Sequence, residues 1–288
     1  MKNLKLYMVS IVLLFSYFVS VAQGPRGPGG PEGQFDKNQE KSGIASALSG
    51  FQFRSIGPAF MSGRISDIAI DPENENVWYV AVSSGGTWKT DNAGTTWKPL
   101  TDSQPFFATG CVTIDPNNSA SIWLGTGENV GGRHIGIGHG IYHSMDGGKS
   151  WKDMGLKKSE HISKIIVHPD NSNVIWVASQ GPQWSSGGDR GLYKSVNGGK
   201  TWKNTLEINE WTGVTDLVID PTNPDVLYAA SWQKHRNVAA LIDGGPGTGL
   251  YKSVDGGETW SKMKKGLPRS NMGKIGLAMS PMDPTVLY

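Results

Sequence analysis

The residues of this chain that could do chemistry fall into two sets. The first is a dense octapeptide that combines a hydroxyl, a carboxylate or amide, glycine and tryptophan. It reads S-M-D-G-G-K-S-W at 144–151, S-V-N-G-G-K-T-W at 195–202, S-V-D-G-G-E-T-W at 253–260 and, more loosely, T-D-N-A-G-T-T-W at 90–97. The second set lies outside those copies. Glu128, Arg133, His134 and His139 sit in G-E-N-V-G-G-R-H-I-G-I-G-H-G, and Gln183, Trp184, Asp189 and Arg190 in S-Q-G-P-Q-W-S-S-G-G-D-R. Trp232, Lys234, His235 and Arg236 share S-W-Q-K-H-R-N, with Asp243 farther on; His161, Glu210, Trp211 and Arg269 fall between repeats. Two carboxylates facing each other across a glycosidic bond hydrolyse it. Tryptophans stack on sugar faces or grip peptide side chains, and Arg and His hold carboxylates.

The octapeptide has a structural account that needs no substrate. Its Asp or Asn accepts hydrogen bonds from turn N–H groups, as in an Asx-turn, and the Ser hydroxyl caps the same turn. Gly147 and Gly148 supply positive φ without a Cβ clash, and the closing Trp returns as an anchor between neighbouring sheets. Copies spread around a ring cannot converge on one reacting atom. The expected structural residues are Asn92, Trp97, Ser144, Asp146, Trp151, Ser195, Asn197, Trp202, Ser253, Asp255 and Trp260.

The elements that must position all of these follow from the repeat itself. A first strand recurs at 65–72, 110–116, 163–169, 214–221 and 275–281, apolar on both faces near its end and closed by a Pro-containing turn. A second recurs as V-W-Y-V-A, I-W-L-G-T, V-I-W-V-A and V-L-Y-A-A, and a third as G-T-W-K-T, G-I-Y-H-S and two copies of G-L-Y-K-S. The octapeptide turns the chain into a fourth. Trp97, Trp151, Trp202 and Trp260 are spaced 51 to 58 residues apart. Four short antiparallel strands at that period predict an all-β fold of propeller blades, which bury their faces by stacking around an axis. The predicted blades span about 51–100, 101–156, 157–206 and 207–266, with a fifth begun at 267–288. That is about four and a half blades of a longer ring, with further blades or domains of the same chain expected.

The first 50 residues have another character. Residues 1–22 read as an export signal: Lys2 and Lys5, an apolar stretch from Leu6 to Val19, then the small residues Ser20-Val21-Ala22, which predict Gln23 as the mature N-terminus. Residues 23–50 begin with G-P-R-G-P-G-G-P-E-G (24–33) and read as a disordered linker. No span remains after signal cleavage, and the protein is expected outside the cytoplasm: extracellular, at the cell surface or periplasmic. Removing Lys2 and Lys5 takes the formal charge from +2 to zero, which argues against a nucleic-acid surface. The one cysteine, Cys111, forms no internal disulfide and is expected as a buried strand residue. No cofactor or metal is expected, because the spacing of His134, His139 and His143 matches no usual zinc pattern.

Ser-x-Asp-x-Gly-x-Thr-Trp is the Asp box, and from about Phe51 onward the chain resembles the Asp-box propellers: sialidases, xyloglucanases and the sortilin receptors. The unit patterns G-L-Y-K-S-V-D-G-G-E-T-W and I-D-P-x-N-P-D-V-L-Y are most similar to bacterial sortilin-like proteins, exported and often labelled glycosyl hydrolases. The resemblance implies ligand capture at the propeller. It departs from the receptors in lacking their cysteine-rich module. Xyloglucanase-like propellers carry a catalytic Asp shortly before the first blade's Gly-Gly, where this chain has Ser83 and Ser84; sialidases have F-R-I-P where this chain has F-R-S-I-G-P with Arg54.

Function in a repeat protein belongs where the copies differ. From the second strand to the third, blade one runs from Tyr79 to Gly86, blade two from Leu124 to Gly140, blade three from Trp176 to Gly191 and blade four from Tyr228 to Gly249. Blades two, three and four thus carry 9, 8 and 14 extra residues, all on the face opposite the Asp boxes. The predicted ligand residues on that face are Glu128, Arg133, His134, Trp184, Asp189, Arg190, Trp211, Trp232, His235 and Arg236. Three functions fit: a module binding a peptide, protein or carbohydrate; a glycoside hydrolase whose acids come from Glu128, Asp189, Glu210 and Asp243, with Glu128 and Asp189 put first although no motif singles them out, and part of its site in further sequence; and an assembly or stability factor.

Overall fold

The computed structural model describes residues 63–288. The predicted signal at 1–22, the linker at 23–50, the start of blade one at 51 and Arg54 lie outside the described residues.

Blade one is built from β1 (Ile65–Asp71), β2 (Asn74–Val82), β3 (Gly86–Thr90) and β4 (Lys98–Pro99). Blade two holds β5 (Thr109–Asp115), β6 (Asn118–Thr126), β7 (Ile141–Ser144) and β8 (Lys152–Asp153). Blade three holds β9 (Ile162–His168), β10 (Asn171–Ser179), β11 (Gly191–Ser195) and β12 (Lys203–Leu206). Blade four begins with β13 (Thr212–Asp220) and β14 (Asn223–Gln233). It then detours through a two-residue ribbon, β15 (His235–Arg236) with β16 (Leu241–Ile242), before β17 (Gly249–Ser253) and β18 (Ser261–Lys262). Each blade is a four-stranded antiparallel meander in chain order. The ribbon is an element the repeat pattern did not predict.

Burial follows the stacking. Between blades one and two lie Tyr79, Phe106, Val112, Ile122, Leu124 and Tyr142. Between two and three lie Cys111, Trp123, Ile141, Ile162, Ile175 and Val177, and between three and four Trp176, Leu192, Val214, Leu217 and Leu227. Cys111 is fully buried, as expected from its strand. The first strands of consecutive blades run side by side and are bridged by polar side chains at each junction. Asp67 Oδ2 accepts from Val112 N at 3.2 Å, Thr113 Oγ1 donates to Ile165 O at 2.8 Å, and Ser163 Oγ donates to Val214 O at 3.2 Å. Asp216 Oδ2 then accepts from Leu277 N at 2.8 Å, which lays the start of the fifth unit beside blade four.

Two expectations need correction. The first strand of blade one is not buried on both faces: Ile65, Ile68 and Ile70 are 65%, 49% and 51% exposed, because among the described residues a neighbouring blade covers this sheet on one side only. The predicted strand at 275–281 does not form a regular sheet either. It folds as a narrow hairpin with a single bridge, Met279 to Leu287, and paired bonds between Ala278 and Tyr288.

Candidate ligand-binding face

The octapeptides share one bonding scheme. In blade two, Ser144 Oγ donates to Asp146 Oδ1 at 2.8 Å and accepts from Gly148 N at 2.8 Å, while Asp146 Oδ1 accepts from Ser150 N at 2.9 Å. Asn197 and Asp255 repeat it with Thr201 N at 3.0 Å and Thr259 N at 2.9 Å, and Asn92 accepts from Thr96 N at 2.9 Å. Each turn is also tied to the beginning of its own second strand, as where Gly147 N donates to Ala120 O at 2.9 Å. This places the Asp boxes and the first-to-second turns at the same end of every blade. The closing Trp reaches back to the preceding blade: Trp151 Nε1 donates to Leu100 O at 3.2 Å and Trp202 Nε1 to Met154 O at 2.7 Å. Trp260 Nε1 donates to Thr205 Oγ1 at 3.4 Å in the same way. Trp97, with no blade before it among the described residues, is 38% exposed.

The opposite end carries the three long connections: loop two (127–140), loop three (180–190) and loop four (234–248). They meet one another across the face. Loop two crosses toward loops three and four, and four consecutive carbonyls along it accept hydrogen bonds from side chains of other units. Asn129 O accepts from Lys274, Val130 O from Lys234 Nζ at 3.3 Å, Gly131 O from Arg236 Nη1 at 3.1 Å and Gly132 O from Gln183 Nε2 at 2.6 Å. Arg133 then donates to Val238 O at 3.0 Å. At the near end of the loop Glu128 is fully buried, ion-paired with Arg64, and accepts from Gly136 N at 2.7 Å.

The predicted ligand residues divide by exposure. Arg133, His134 and Trp184 are exposed, Trp184 at 43%. Asp189, Trp211, His235 and Arg236 are half-buried. Trp211 lies against His235 with ring centroids 4.0 Å apart. Glu128, Arg190 and Trp232 are buried. Arg190 fastens loop three from inside through Gln180 O at 2.8 Å, Ser185 O at 2.7 Å and Pro182 O. Asp189 Oδ2 accepts from Lys158 N at 2.9 Å, and Trp232 Nε1 donates to Asp243 O at 3.2 Å. His139 is exposed on loop two, whereas His143 stacks on Trp123 at 3.9 Å and contacts Ser121 Oγ at 2.9 Å. Among the described residues no three His, Cys, Asp or Glu side chains are placed to share a metal ion.

Beneath loop two several cations lie close together, with Asp243, Asp216, Glu160 and Glu210 near them but outside ion-pair distance of Lys234, Lys274 and Arg190. Lys234 is 3% exposed, its ammonium 4.5 Å from the Trp232 ring centroid and 3.4 Å from Gln180 Oε1. Burial, with Lys274 and Arg190 nearby, pulls its pKa down to about 7. His161 is fully buried; burial and the neighbouring Lys234 pull it down to about 3, so it is neutral. Neither ring nitrogen of His161 has a hydrogen-bond partner among the described residues, nor has Gln180 Nε2. Gln180, Lys274 and Arg64 were absent from the predicted site, and Lys234 was named with its loop but not among the ligand residues. Nothing local marks them, because they converge only through the loops' return to the axis.

These blades and turns define a segment of an Asp-box β-propeller. Comparison with known proteins gives it relatives. The family described as "Sortilin, neurotensin receptor 3" (Sortilin-Vps10) matches residues 139–277. A probable oligoxyloglucan-reducing end-specific xyloglucanase of Neosartorya fischeri is 23% identical over 238 residues, covering 76% of this chain and 26% of that protein. A xyloglucanase of Acetivibrio thermocellus is 25% identical over 229 residues, covering 68% of this chain and 25% of that protein. The chain therefore spans about a quarter of the length of the curated relatives it matches. Among solved structures, an ancestral GH74 enzyme superposes with a TM-score of 0.59 at 24% identity, covering 76% of this chain and 26% of that one. That likeness concerns the fold. Among the described residues no helix is long and apolar enough to cross a membrane.

Proposed function

We propose that the chain is an exported propeller module that binds a ligand, a glycan or a peptide, on the loop-rich face opposite the Asp boxes. The observation that carries this reading is the state of the two candidate acids. Glu128 is closed off by Arg64 and the Gly136 amide, and Asp189 is tied to the Lys158 amide. A hydrolase needs two carboxylates free to face one bond; here Glu128 and Asp189 act as fasteners for loops, which leaves only the exposed Glu210 and Asp243 of the four candidates. The exposed surface offers instead Trp184, Arg133 and the Trp211–His235 pair, which suit holding a ligand. The similarity to xyloglucanases favours a second reading, glycoside hydrolysis with part of the site supplied by further sequence.

One experiment separates them. The chain is titrated calorimetrically with xyloglucan oligosaccharides and a peptide panel, and the same glycans are assayed for new reducing ends. Binding without release, weakened about tenfold by Trp184→Ala, is the expected result. Release of reducing ends that disappears in Glu128→Gln would replace the binding reading with the hydrolytic one.

A further inference from the structure

The run of carbonyls on loop two raises a question of chemistry. Lys234, Arg236 and Lys274 bond to this loop, and Arg190 lies near Lys234, yet among the described residues none of the four has a carboxylate within 4.0 Å. Their partners are neutral backbone oxygens: Lys274, Lys234 and Arg236 hold the successive carbonyls of Asn129, Val130 and Gly131. A carbonyl carries a partial charge and a carboxylate a full one, so charged donors favour the carboxylate when both can reach them. Beside these cations His161 is fully buried with neither ring nitrogen hydrogen-bonded, Glu160 Oε2 lying 3.9 Å from its Nε2, and Arg190 Nε and Arg236 Nε are buried without a hydrogen-bond partner as well.

The loop's hold on these cations rests on few strong bonds. It contains six glycines, and both of its ends, Gly127 and Gly140, have positive φ of 84° and 90°. One of its fastenings, Gln183 Nε2 to Gly132 O at 2.6 Å, involves no charge, while Gln183 Oε1 on the same amide is buried without a partner.

We propose that the underside of loop two is a latent carboxylate site, that the carbonyl row of residues 129–131 is its resident occupant, and that its ligand is a glycan bearing hexuronate residues. The uronate carboxylate displaces the carbonyls from Lys234 and Arg236. The sugar ring rests on the adjoining aromatic surface, where Trp211 lies against His235, the neighbour of Arg236. A planar carboxylate fixed to a ring with an apolar face matches a cation beside an aromatic plane. This inference rests on the proposed ligand-binding role of the same face.

The test titrates the full chain with trigalacturonate, its neutral methyl ester, neutral xyloglucan oligosaccharides, and a peptide in free-acid and amidated forms. Amide hydrogen exchange of residues 129–136 is followed in parallel. Trigalacturonate is expected to bind at least about tenfold more tightly than its ester, more weakly at high salt, and to speed exchange across 129–136. Arg236→Gln, half-buried and less disruptive than a change at Lys234, is expected to weaken binding about tenfold. Gln183→Leu removes a tether of loop two without removing a cation and is expected to tighten binding several-fold.

Equal affinity for acid and ester, unchanged or slower exchange in 129–136, or weakened binding in Gln183→Leu overturns the proposal. Preference for the free-acid peptide without trigalacturonate binding overturns the uronate assignment. Binding of neutral glycans alone leaves the ligand-binding face standing and removes the latent site; no binding by any ligand removes both.

Discussion

The indole N–H of Trp176 on β10 donates to the carbonyl of Gly256 at 2.9 Å, joining the second strand of blade three to the Asp box of blade four. Trp176 is 1% exposed, and a Cβ added at Gly257 would lie 2.7 Å from its Nε1. The bond and the close packing link neighbouring blades at the Asp-box end. Trp176→Phe is expected to cost about 1–3 kcal/mol from the lost bond and the space left behind. Gly257→Ala, at φ +80°, is expected to be similarly costly. Urea unfolding monitored by fluorescence and circular dichroism measures both.

The Asp boxes tolerate Asp or Asn but need an acceptor. Asn197 performs in blade three the role Asp146 performs in blade two. Asp146→Asn is therefore expected to leave the melting temperature at neutral pH nearly unchanged, and Asp146→Ala to lower it by about 2–4 °C. The Ser150 hydroxyl, followed by its amide and Ser144, holds the Asp146 carboxyl down to about 2. Because this pKa lies below the unfolded value, its contribution is present above that value and is lost as the pH falls through about 2. Asp146→Asn should flatten that part of the acid profile, a change read by thermal scans across pH.

His161 and Lys234 give a second pH signature. The folded His161 binds its proton only near pH 3, against 6.5 ordinarily, so the unfolded chain binds the extra proton in between. Stability is thus expected to fall as the pH drops from about 6.5 toward 3. Lys234 titrates near 7 rather than 10.5, so the unfolded state again holds the extra proton between those values and stability rises with pH across that window. The acid slope should weaken in His161→Gln and the alkaline gain in Lys234→Met. Unchanged slopes in both variants would mean that these side chains are solvated in the folded protein.

Cys111 is fully buried between blades two and three, and burial pushes its thiol far above the ordinary range. It is expected to resist an aromatic disulfide reagent in native buffer and to react fully in denaturant. Rapid native labelling would show that the interface between these two blades opens readily.

Much of this architecture could be read without coordinates. A blade is a local object whose strand lengths, Pro turns and Ser-Asp-Gly-Gly corners lie within about 50 contiguous residues, so G-L-Y-K-S and its octapeptide announce it each time they recur. Cys111 was legible too, because its place in the repeating first strand fixes its burial. The loop residues were legible only as a neighbourhood. Extra length located the face, but length does not tell Trp184, which is exposed, from Trp232, which is buried against Lys234.

Sequence alone determined the blade, its corners and the side of the sheet on which insertions fall, since those depend on contacts between residues close along the chain. Tertiary structure decided which polar groups meet. Lys234 reaches Val130 and Arg236 reaches Gly131 across 104 and 105 residues, and Glu128 meets Arg64 across 64. No periodicity encodes such pairs: each arises because stacking sheets around an axis returns distant loops to one point, where the polar groups of one loop meet those of another.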